Sequence, residues 1–533
     1  MVEQQPVLRR IPRPVRARRL GIALAACVAA PAAILVGCGG GDGGSSSADV
    51  GPAAAVPANA PLYLDATVKP TGQAQTDAKA ALTKVMDTAD PGGKIVSLIE
   101  DESKSEGHPI NYQQDVAPWL GEKAGFFFTS FADNAEKGTA VIETTNPTAG
   151  LAFARKASGA TETSPAPQPY NGVSYQTDPS DSGNVFGTVG DFLVEGDLDG
   201  FKAAVDADKG DSLGDDSDFK DSLDQLPDNR LGTFYTVPKT LIDAIGPAQF
   251  DQQSRALLEK SAGESLDEPV SGALTASANS LNLEFIGGSN GVDTPESSLV
   301  ADVPGDSWLA FGLGNMGEAA KRTLEQLKDA NIPNLQLGLS QVEQATGSSI
   351  DQLTGALGDA VLYVRGTTEP TLNGALVIQT NDPDLTGRLL GQLQSLLRAG
   401  GGTTAVKPLS LSGGGTGFQI NDPTEVPQPV EFAQQGDKLV IGYGANSAEQ
   451  SLAPAQKLSD SPTFSSARGQ VADLGTDFFL DLPRVFKLAE STGAKSDPSY
   501  LQAKPYLDAL TYLVTGSGSK GDQAELKAVV GLK

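Results

Sequence analysis

Val56-Pro57-Ala58-Asn59-Ala60-Pro61-Leu62-Tyr63-Leu64 returns further along the chain as Val303-Pro304-Gly305-Asp306-Ser307-Trp308-Leu309-Ala310-Phe311. Three more landmarks recur in the same order. Trp119-Leu120-Gly121-Glu122-Lys123-Ala124-Gly125-Phe126-Phe127 is answered by Ala356-Leu357-Gly358-Asp359-Ala360-Val361-Leu362-Tyr363. Ala140-Val141-Ile142-Glu143-Thr144-Thr145-Asn146-Pro147 is matched by Leu376-Val377-Ile378-Gln379-Thr380-Asn381-Asp382-Pro383, and Phe234-Tyr235-Thr236-Val237-Pro238-Lys239 by Phe479-Leu480-Asp481-Leu482-Pro483-Arg484. The offset of roughly 240 residues is far longer than a solenoid period, so the reading is two copies of a whole domain. Chance likeness of short strands explains one match, not the order of four.

Short apolar runs bounded by Gly or Asp, such as Phe126 to Phe128, Val361 to Val364 and Leu439 to Ile441, read as strands. The clearest helix follows Asp382-Pro383, an N-cap with proline at the first helical position, and aligns Leu385, Leu389, Leu393, Leu396 and Leu397 on one face. Each copy closes on a hairpin: Ala273 to Ile286 around Asn279-Ser280, and Tyr512 to Val530 around Ser519-Lys520-Gly521-Asp522. Strands adjacent in sequence and joined by short turns favour antiparallel pairing. The expected fold is α+β: a tandem duplication of a mixed, mainly antiparallel sheet domain with helices packed on one face. The copies span residues 56–288 and 303–533, joined by a polar linker at 289–302.

Ahead of the first copy, Leu20 to Ser47 reads as a secretory apolar region ending in a lipobox, Leu35-Val36-Gly37-Cys38, preceded by Arg9, Arg10, Arg13, Arg16, Arg18 and Arg19. The expectation is a lipoprotein signal peptide at residues 1–37 with Cys38 as lipid acceptor. A transmembrane helix over Leu20 to Gly37 is the rival, disfavoured by Pro31 and the Gly-rich exit. Leu24-Ala25-Ala26-Cys27 also resembles a lipobox but leaves too short an apolar region. Arg18-Arg19 is followed by Leu20-Gly21, where a twin-arginine signal prefers a bulky apolar pair, which favours the general export route. The run Gly39 to Pro57 is rich in small residues; residues 38–55 are expected to form a flexible tether on the order of 25 Å end to end.

The chain has 533 residues and a formal net charge of −27; the first 37 residues hold six Arg and one Glu, so the remainder carries −32. Such a field repels nucleic acid and anionic headgroups, and serves solubility outside the cell. With Cys27 in the signal and Cys38 acylated, the body has no thiol for a disulfide or metal site, and His108 is its single histidine, read as a surface residue in a polar loop.

The tethered start Val56 to Leu64 and the repeated Leu-Gly-acidic element resemble an uncharacterised family of bacterial exported lipoproteins catalogued as domain of unknown function 3352. The resemblance implies location and fold and carries no catalytic pattern.

Several motifs fit poorly. Gly312-Leu313-Gly314-Asn315-Met316-Gly317 matches GxGxxG, but the region where the acidic partner belongs reads Asn334-Leu335-Gln336-Leu337-Gly338, which favours a tight strand-to-helix turn. Gly210-Asp211-Ser212-Leu213-Gly214 matches GxSxG within an acidic stretch read as a loop, with His108 upstream instead of downstream. Ser217-Asp218-Phe219-Lys220 and Ser517-Gly518-Ser519-Lys520 satisfy SxxK without the companion motifs. Asp206, Asp208, Asp211, Asp215, Asp216 and Asp218 offer oxygen ligands but miss the EF-hand spacing, so a solvated acidic loop is the reading. Trp119 and Trp308 lie beside strand starts and are read as core aromatics in preference to a ligand platform.

The expectation is a lipid-anchored, extracytoplasmic binding or scaffold protein on the outer face of the cytoplasmic membrane. No catalytic, cofactor-binding or metal-binding residue is assigned, and no cofactor. Partners are the membrane, through the anchor, and an envelope ligand or protein. An envelope enzyme using paired carboxylates and a structural spacer are the alternatives.

Overall fold

Apolar runs without polar interruption specify strands that bury both faces, and these runs build the sheets seen in the computed structural model. It describes residues 50–105, 107, 109–131, 137–161, 164–245, 252–288, 296–329, 334–399, 405–421 and 427–533. Cys27, Cys38, the apolar stretch Leu20 to Gly37 and His108 lie outside them. Among the described residues no helix is long and apolar enough to cross a membrane.

The chain divides into two compact units, residues 1–70 with 92–217, and residues 71–91 with 218–533. The first holds seven described strands: β1 Leu62–Thr67, β2 Leu120–Ser130, β3 Lys137–Thr144, β4 Gln168–Tyr170, β5 Val173–Thr177, β6 Asn184–Val189 and β7 Phe192–Asp197. They pair antiparallel in the order β1-β2-β3-β7-β6-β5-β4.

The second unit holds β8 Gly232–Thr236, β9 Val270–Ser277, β10 Ser280–Gly287, β11 Ser307–Leu313, β12 Leu357–Arg365, β13 Asn373–Thr380, β14 Ala405–Pro408, β15 Thr416–Asn421, β16 Val430–Gln435, β17 Lys438–Tyr443, β18 Gly475–Asp481, β19 Leu510–Lys520 and β20 Gln523–Leu532. Its first seven-strand run, β11-β12-β13-β17-β16-β15-β14, repeats the pairing order of the first unit. From β11 the sheet continues through β18-β19-β20-β10-β9-β8, antiparallel throughout. The fold is thus α+β with large antiparallel sheets, and both expected closing hairpins are present.

Helices do not keep to one face. On β6 and β7, Val185, Phe186, Leu193 and Val194 are all buried, so consecutive residues fill opposite faces. Phe186 and Leu193 share a cluster with Ala154 of the helix Pro147–Ala157 and with Trp119, whose Nε1 donates to Asp115 O at 2.7 Å. The helix Leu198–Lys209 takes the other face, its Phe201 lying where a side chain on Gly187 would otherwise stand. The expectation of helices on one face rested on antiparallel pairing alone, and the burial of both faces here departs from it.

The expected tether also ends early. Gly51–Ala55 is a 3-10 turn whose Gly51, Pro52, Ala53 and Ala55 are buried. Added Cβ atoms on Gly125 and Gly214 would stand 2.7 Å from Pro52 and 2.9 Å from Val50, so here small residues allow close approach instead of flexibility. Leu213 N donates to Val56 O at 2.7 Å, and in the second unit Leu458 N donates to Val303 O at 2.8 Å. Ser297, Leu299 and Val300, expected in the polar linker, are likewise buried.

The helix Pro383–Ala399 starts as expected, with Asp382 Oδ1 accepting from Leu385 N at 2.9 Å. It buries Leu385, Thr386 and Leu390 in its first turns, while Leu393 and Leu396 are 37% and 69% exposed. It lies against β14, β15 and β16, with burial deepest in its first turns.

Two buried carboxylates carry predictions. Glu431, 2% exposed, accepts from Asn446 N at 2.9 Å, Ser447 Oγ at 3.2 Å and Ala448 N at 2.9 Å, satisfying donors at the start of the helix Ser447–Leu452. Glu431→Ala strands all three donors and is expected to lower unfolding free energy by about 2–4 kcal/mol in urea titration, with Glu431→Gln losing less. Glu195 of β7 stands between Ala140 and Phe186 in register; burial, with the charge of Asp178 added, pushes its carboxyl up to about 7. The native state therefore holds a proton that the unfolded chain has released above about 4.5, and stability falls as pH rises from there to about 7. In urea unfolding from pH 4.5 to 8.5, Glu195→Gln is expected to flatten that slope and gain at most about 3 kcal/mol over the parent at the alkaline end.

Candidate functional site

On one face of the second sheet, register places Phe311 of β11 beside Leu362, Leu362 beside Leu376, and Leu376 beside Ile441. The opposite face is the core, built on Ala310, Val361, Val377, Val440 and Phe479. Phe311, Leu362 and Ile441 are 38%, 42% and 36% exposed, a row of large apolar side chains left partly open. The helices Leu335–Thr346, Leu482–Ser491 and Pro498–Leu507 bury no residue fully. The second of these lies against β11, β18 and β19, of which β11 carries Phe311.

Along the same sheet lies a groove of about 710 Å³. Its floor follows one register row: Gly475 pairs with Ser517, Ser517 with Leu526, and Leu526 with Phe285. Gly475 and Ser517 supply little bulk, so the floor is hollow beside Leu526 and Phe285. Gly475 is also held to glycine by crowding, since a Cβ there would stand 2.5 Å from that of Glu296. Val270 and Leu474 complete the apolar lining; Glu296, Asp473 and Glu525 bring carboxylates to it. Ser517 is two residues along β19 from Thr515, the register partner of Phe478, whose ring lies 6.5 Å from Phe311. The row Gly475-Ser517-Leu526-Phe285 therefore shares the face of the open row, whereas Leu474, Gly518, Glu525 and Ile286 of the groove belong to the opposite face.

Strand β18 carries a bulge between Thr476 and Phe478, which re-aims Asp477. Its carboxyl hydrogen-bonds the main chain and side chain of Ser517; burial first, then the Glu296 charge, nonetheless raise it above the usual carboxylate range. Arg468 lies 3.6 Å from Glu296. Glu296 beside Asp477 and Asp178 beside Glu195 are two carboxylate pairs of the kind expected, and single carboxylates in unremarkable sequence gave no signal of either pairing.

The motifs singled out from sequence are scattered by the fold. Gly312 lies in β11, antiparallel to both β12 and β18, where a dinucleotide site requires parallel strands. Asn315 turns the chain at φ 49°, and Gly317 packs against the carbonyls of Thr354 and Leu357. Ser212 Oγ donates to Asp215 Oδ2 at 2.7 Å in the turn Leu213–Asp215, and Asp206 accepts from Tyr170 Oη at 2.7 Å. The acidic stretch read as a loop is a helix end, this turn and the helix Ser217–Asp224, and among the described residues no group of acidic, His or Cys side chains is arranged to hold a metal. Lys520 of the second SxxK ends β19 and donates to Gln225 O at 2.9 Å. Trp308 Nε1 donates to Gly366 O at 2.7 Å.

The model of a family described as "Protein of unknown function (DUF3352)" matches residues 20–528. No curated protein matches the sequence. A solved structure titled "Structure of crystal form I of TP0453" is similar at 11% identity over 76% of this chain and 96% of that one, with a TM-score of 0.15, too low to support an argument.

Replacing Glu296 by Gln removes the like charge beside Asp477. The Asp477 carboxyl is then expected to titrate lower, toward the ordinary range, as read by carboxyl carbon NMR shifts. Because a raised carboxyl loses stability as pH rises through its native value, the variant also loses less stability on that rise. An unmoved titration would sink the coupling.

Proposed function

The chain belongs to the DUF3352 family, and from that premise we propose that it is an exported, membrane-tethered lipoprotein that binds an apolar ligand without chemistry. The observation that carries the binding reading is the open row Phe311-Leu362-Leu376-Ile441, three of whose large apolar side chains are left partly open on one sheet face. Burying three such side chains is favourable by several kcal/mol, of order 1.5–3 kcal/mol each when complete. A face left open at that cost points to something that covers it.

The tether reading rests on the arginine-led apolar stretch and Leu35-Val36-Gly37-Cys38. Cys38 takes the lipid, and the body stands at the outer face of the cytoplasmic membrane. The repeated pairing order of the strands, together with the four recurring landmarks, supports a tandem duplication of one α+β domain. The charge of −27 supports a partner other than nucleic acid. A carboxylate enzyme is the weaker reading, since Asp477 is already engaged by Ser517 in the bulge.

Expressed in a bacterial host fed labelled palmitate, the parent chain is expected to take up label and sediment with membranes. Cys38→Ala should lose the label and resist maturation, whereas Cys27→Ala should behave as the parent. Label retained in the Cys38 variant overturns the anchor assignment. Native mass spectrometry of the gently purified chain tests binding separately: an apolar adduct lost on denaturation is the expected result.

A further inference from the structure

The open row continues past β11. Phe311 pairs with Phe478, Phe478 with Thr515, Thr515 with Ala528 and Ala528 with Leu283, so one register row runs from β10 to β17. Leu313 and Leu526 lie two residues along their strands from Phe311 and Ala528, on the same face, and with Leu283 they too are exposed. The seven inter-strand steps from β10 to β17 cover about 33 Å at the usual strand spacing. These strands carry charges, but alternation sends Glu284, Glu525, Lys527, Arg365 and Lys438 to the other face, that of Val361 and Val529. On the open face the described strand residues include a single charge, Asp477, at the margin in the β18 bulge and bonded to Ser517. The helix Leu482–Ser491 lies against β11, β18 and β19 yet leaves Phe311 exposed.

Deepening the binding reading above, on which this rests, we propose that this face takes the acyl chains of a membrane phospholipid, laid across the strands from Leu283 toward Ile441. Chemistry and size choose this occupant. A protein partner brings polar groups that need hydrogen bonds, about one per 100–200 Å² of interface, and along the row this face offers Thr515 with Ser517 beside it. Hydrocarbon needs none. A second copy of the chain would bring an equal negative charge to the contact, since each carries −27. A small apolar molecule covers a fraction of a surface this long. Two acyl chains end to end span the hydrocarbon core of a bilayer, about 30 Å, and so match the row. The lipid anchor proposed above keeps the face beside a bilayer that supplies such chains.

The full chain is held in discs of phosphatidylcholine spiked with a phosphatidylcholine that carries a diazirine midway along one acyl chain. After irradiation the labelled peptides are mapped by mass spectrometry, which separates the face from any label at the N-terminal anchor. Adducts are expected at Phe311, Leu362 and Ile441, about fivefold above those at Leu98 and Leu337, exposed leucines of the helices Pro91–Ser105 and Leu335–Thr346 that report chance collisions. The double variant Leu362→Asp, Ile441→Asp puts charge at two exposed positions and should cut face labelling about tenfold, with the urea midpoint near that of the parent. The labelling pattern of the parent decides the assignment even where that variant folds poorly. Labelling of the face no stronger than of the helix leucines overturns the lipid assignment; an apolar adduct in native mass spectrometry then leaves the ligand reading standing, and its absence overturns both. Face labelling that survives the double variant puts the chains elsewhere and overturns the site. An unlabelled face in a chain that sediments as a dimer, and as a monomer with the double variant, gives the face to a second copy and overturns the lipid.

Discussion

Strands β10 and β20 pair antiparallel from Ser280↔Gly531 to Gly287↔Ala524, and the architecture of the second unit depends on that ladder. Each is the last strand of a closing hairpin, β9-β10 and β19-β20, and a hairpin's outer strand exposes unpaired N–H and C=O groups that template aggregation. Pairing the two outer strands removes both edges at once. It also explains why the compact units do not follow the repeat in the sequence. Residues 218–287 reach the second unit through this ladder, and the helix Gly72–Met86 joins it against β9 and β20. The groove is a further consequence, since Leu526 and Phe285 are neighbours only because these strands are.

Within that sheet the two faces have different fates. The face of Val361, Val377, Val440 and Phe479 is closed by the helices Ser447–Leu452 and Pro462–Gly469, with Phe464 edge-on to Phe479 at 5.1 Å. Here packing is dense, and small residues mark the closest approach: a Cβ on Gly442 would stand 2.1 Å from Ser447 Oγ. The other face keeps Phe311, Leu362 and Ile441 partly open, and the helix Leu482–Ser491 against β11 buries none of its own residues completely. Loosely docked helices are the elements that shift most cheaply, so the face that could admit a ligand is also the one least costly to rearrange.

What the sequence made legible was the order of things. Four landmarks in register, two hairpins and an Asp-Pro helix start each correspond to an observed element, because each rests on local backbone chemistry that little can override. What stayed hidden depended on neighbours far along the chain. Gly51 to Ala55 reads as a flexible tract until Gly125 and Gly214 are seen making room for it. The burial of the helix Pro383–Ala399 cannot be read from its leucines alone, since Leu385 and Leu390 are buried while Leu393 and Leu396 of the same series stand exposed. Asp477 and Glu296 are 181 positions apart, and only the bulge at β18 and the bare Gly475 bring them together. The Phe192 to Asp197 run, by contrast, did carry a visible signal: a glutamate inside an apolar strand, which is Glu195.

That glutamate shows how far two sheets of one pairing order can diverge. In the first unit the row Leu64-Phe126-Ala140-Glu195-Phe186 occupies the place that Phe311-Leu362-Leu376-Ile441-Phe432 occupies in the second. Phe186 is buried with Trp119 and with Ala154 of the helix Pro147–Ala157, and Phe126 and Ala140 are buried as well, whereas in the second unit Leu362 is exposed and Leu376 and Phe432 are half-buried. From Phe126 to Phe186 the first row is closed around a carboxyl pushed up to about 7, an arrangement that costs stability at neutral pH and leaves Leu64 as its open apolar end. The second row has no charge to hide, and the helix Pro383–Ala399 meets it at its β16 end, where Gln434 Nε2 donates to Pro383 O at 2.8 Å. One architecture thus supplies both a filled face, whose role is to hold the fold, and an unfilled one, whose exposure is a cost that only an occupant would offset.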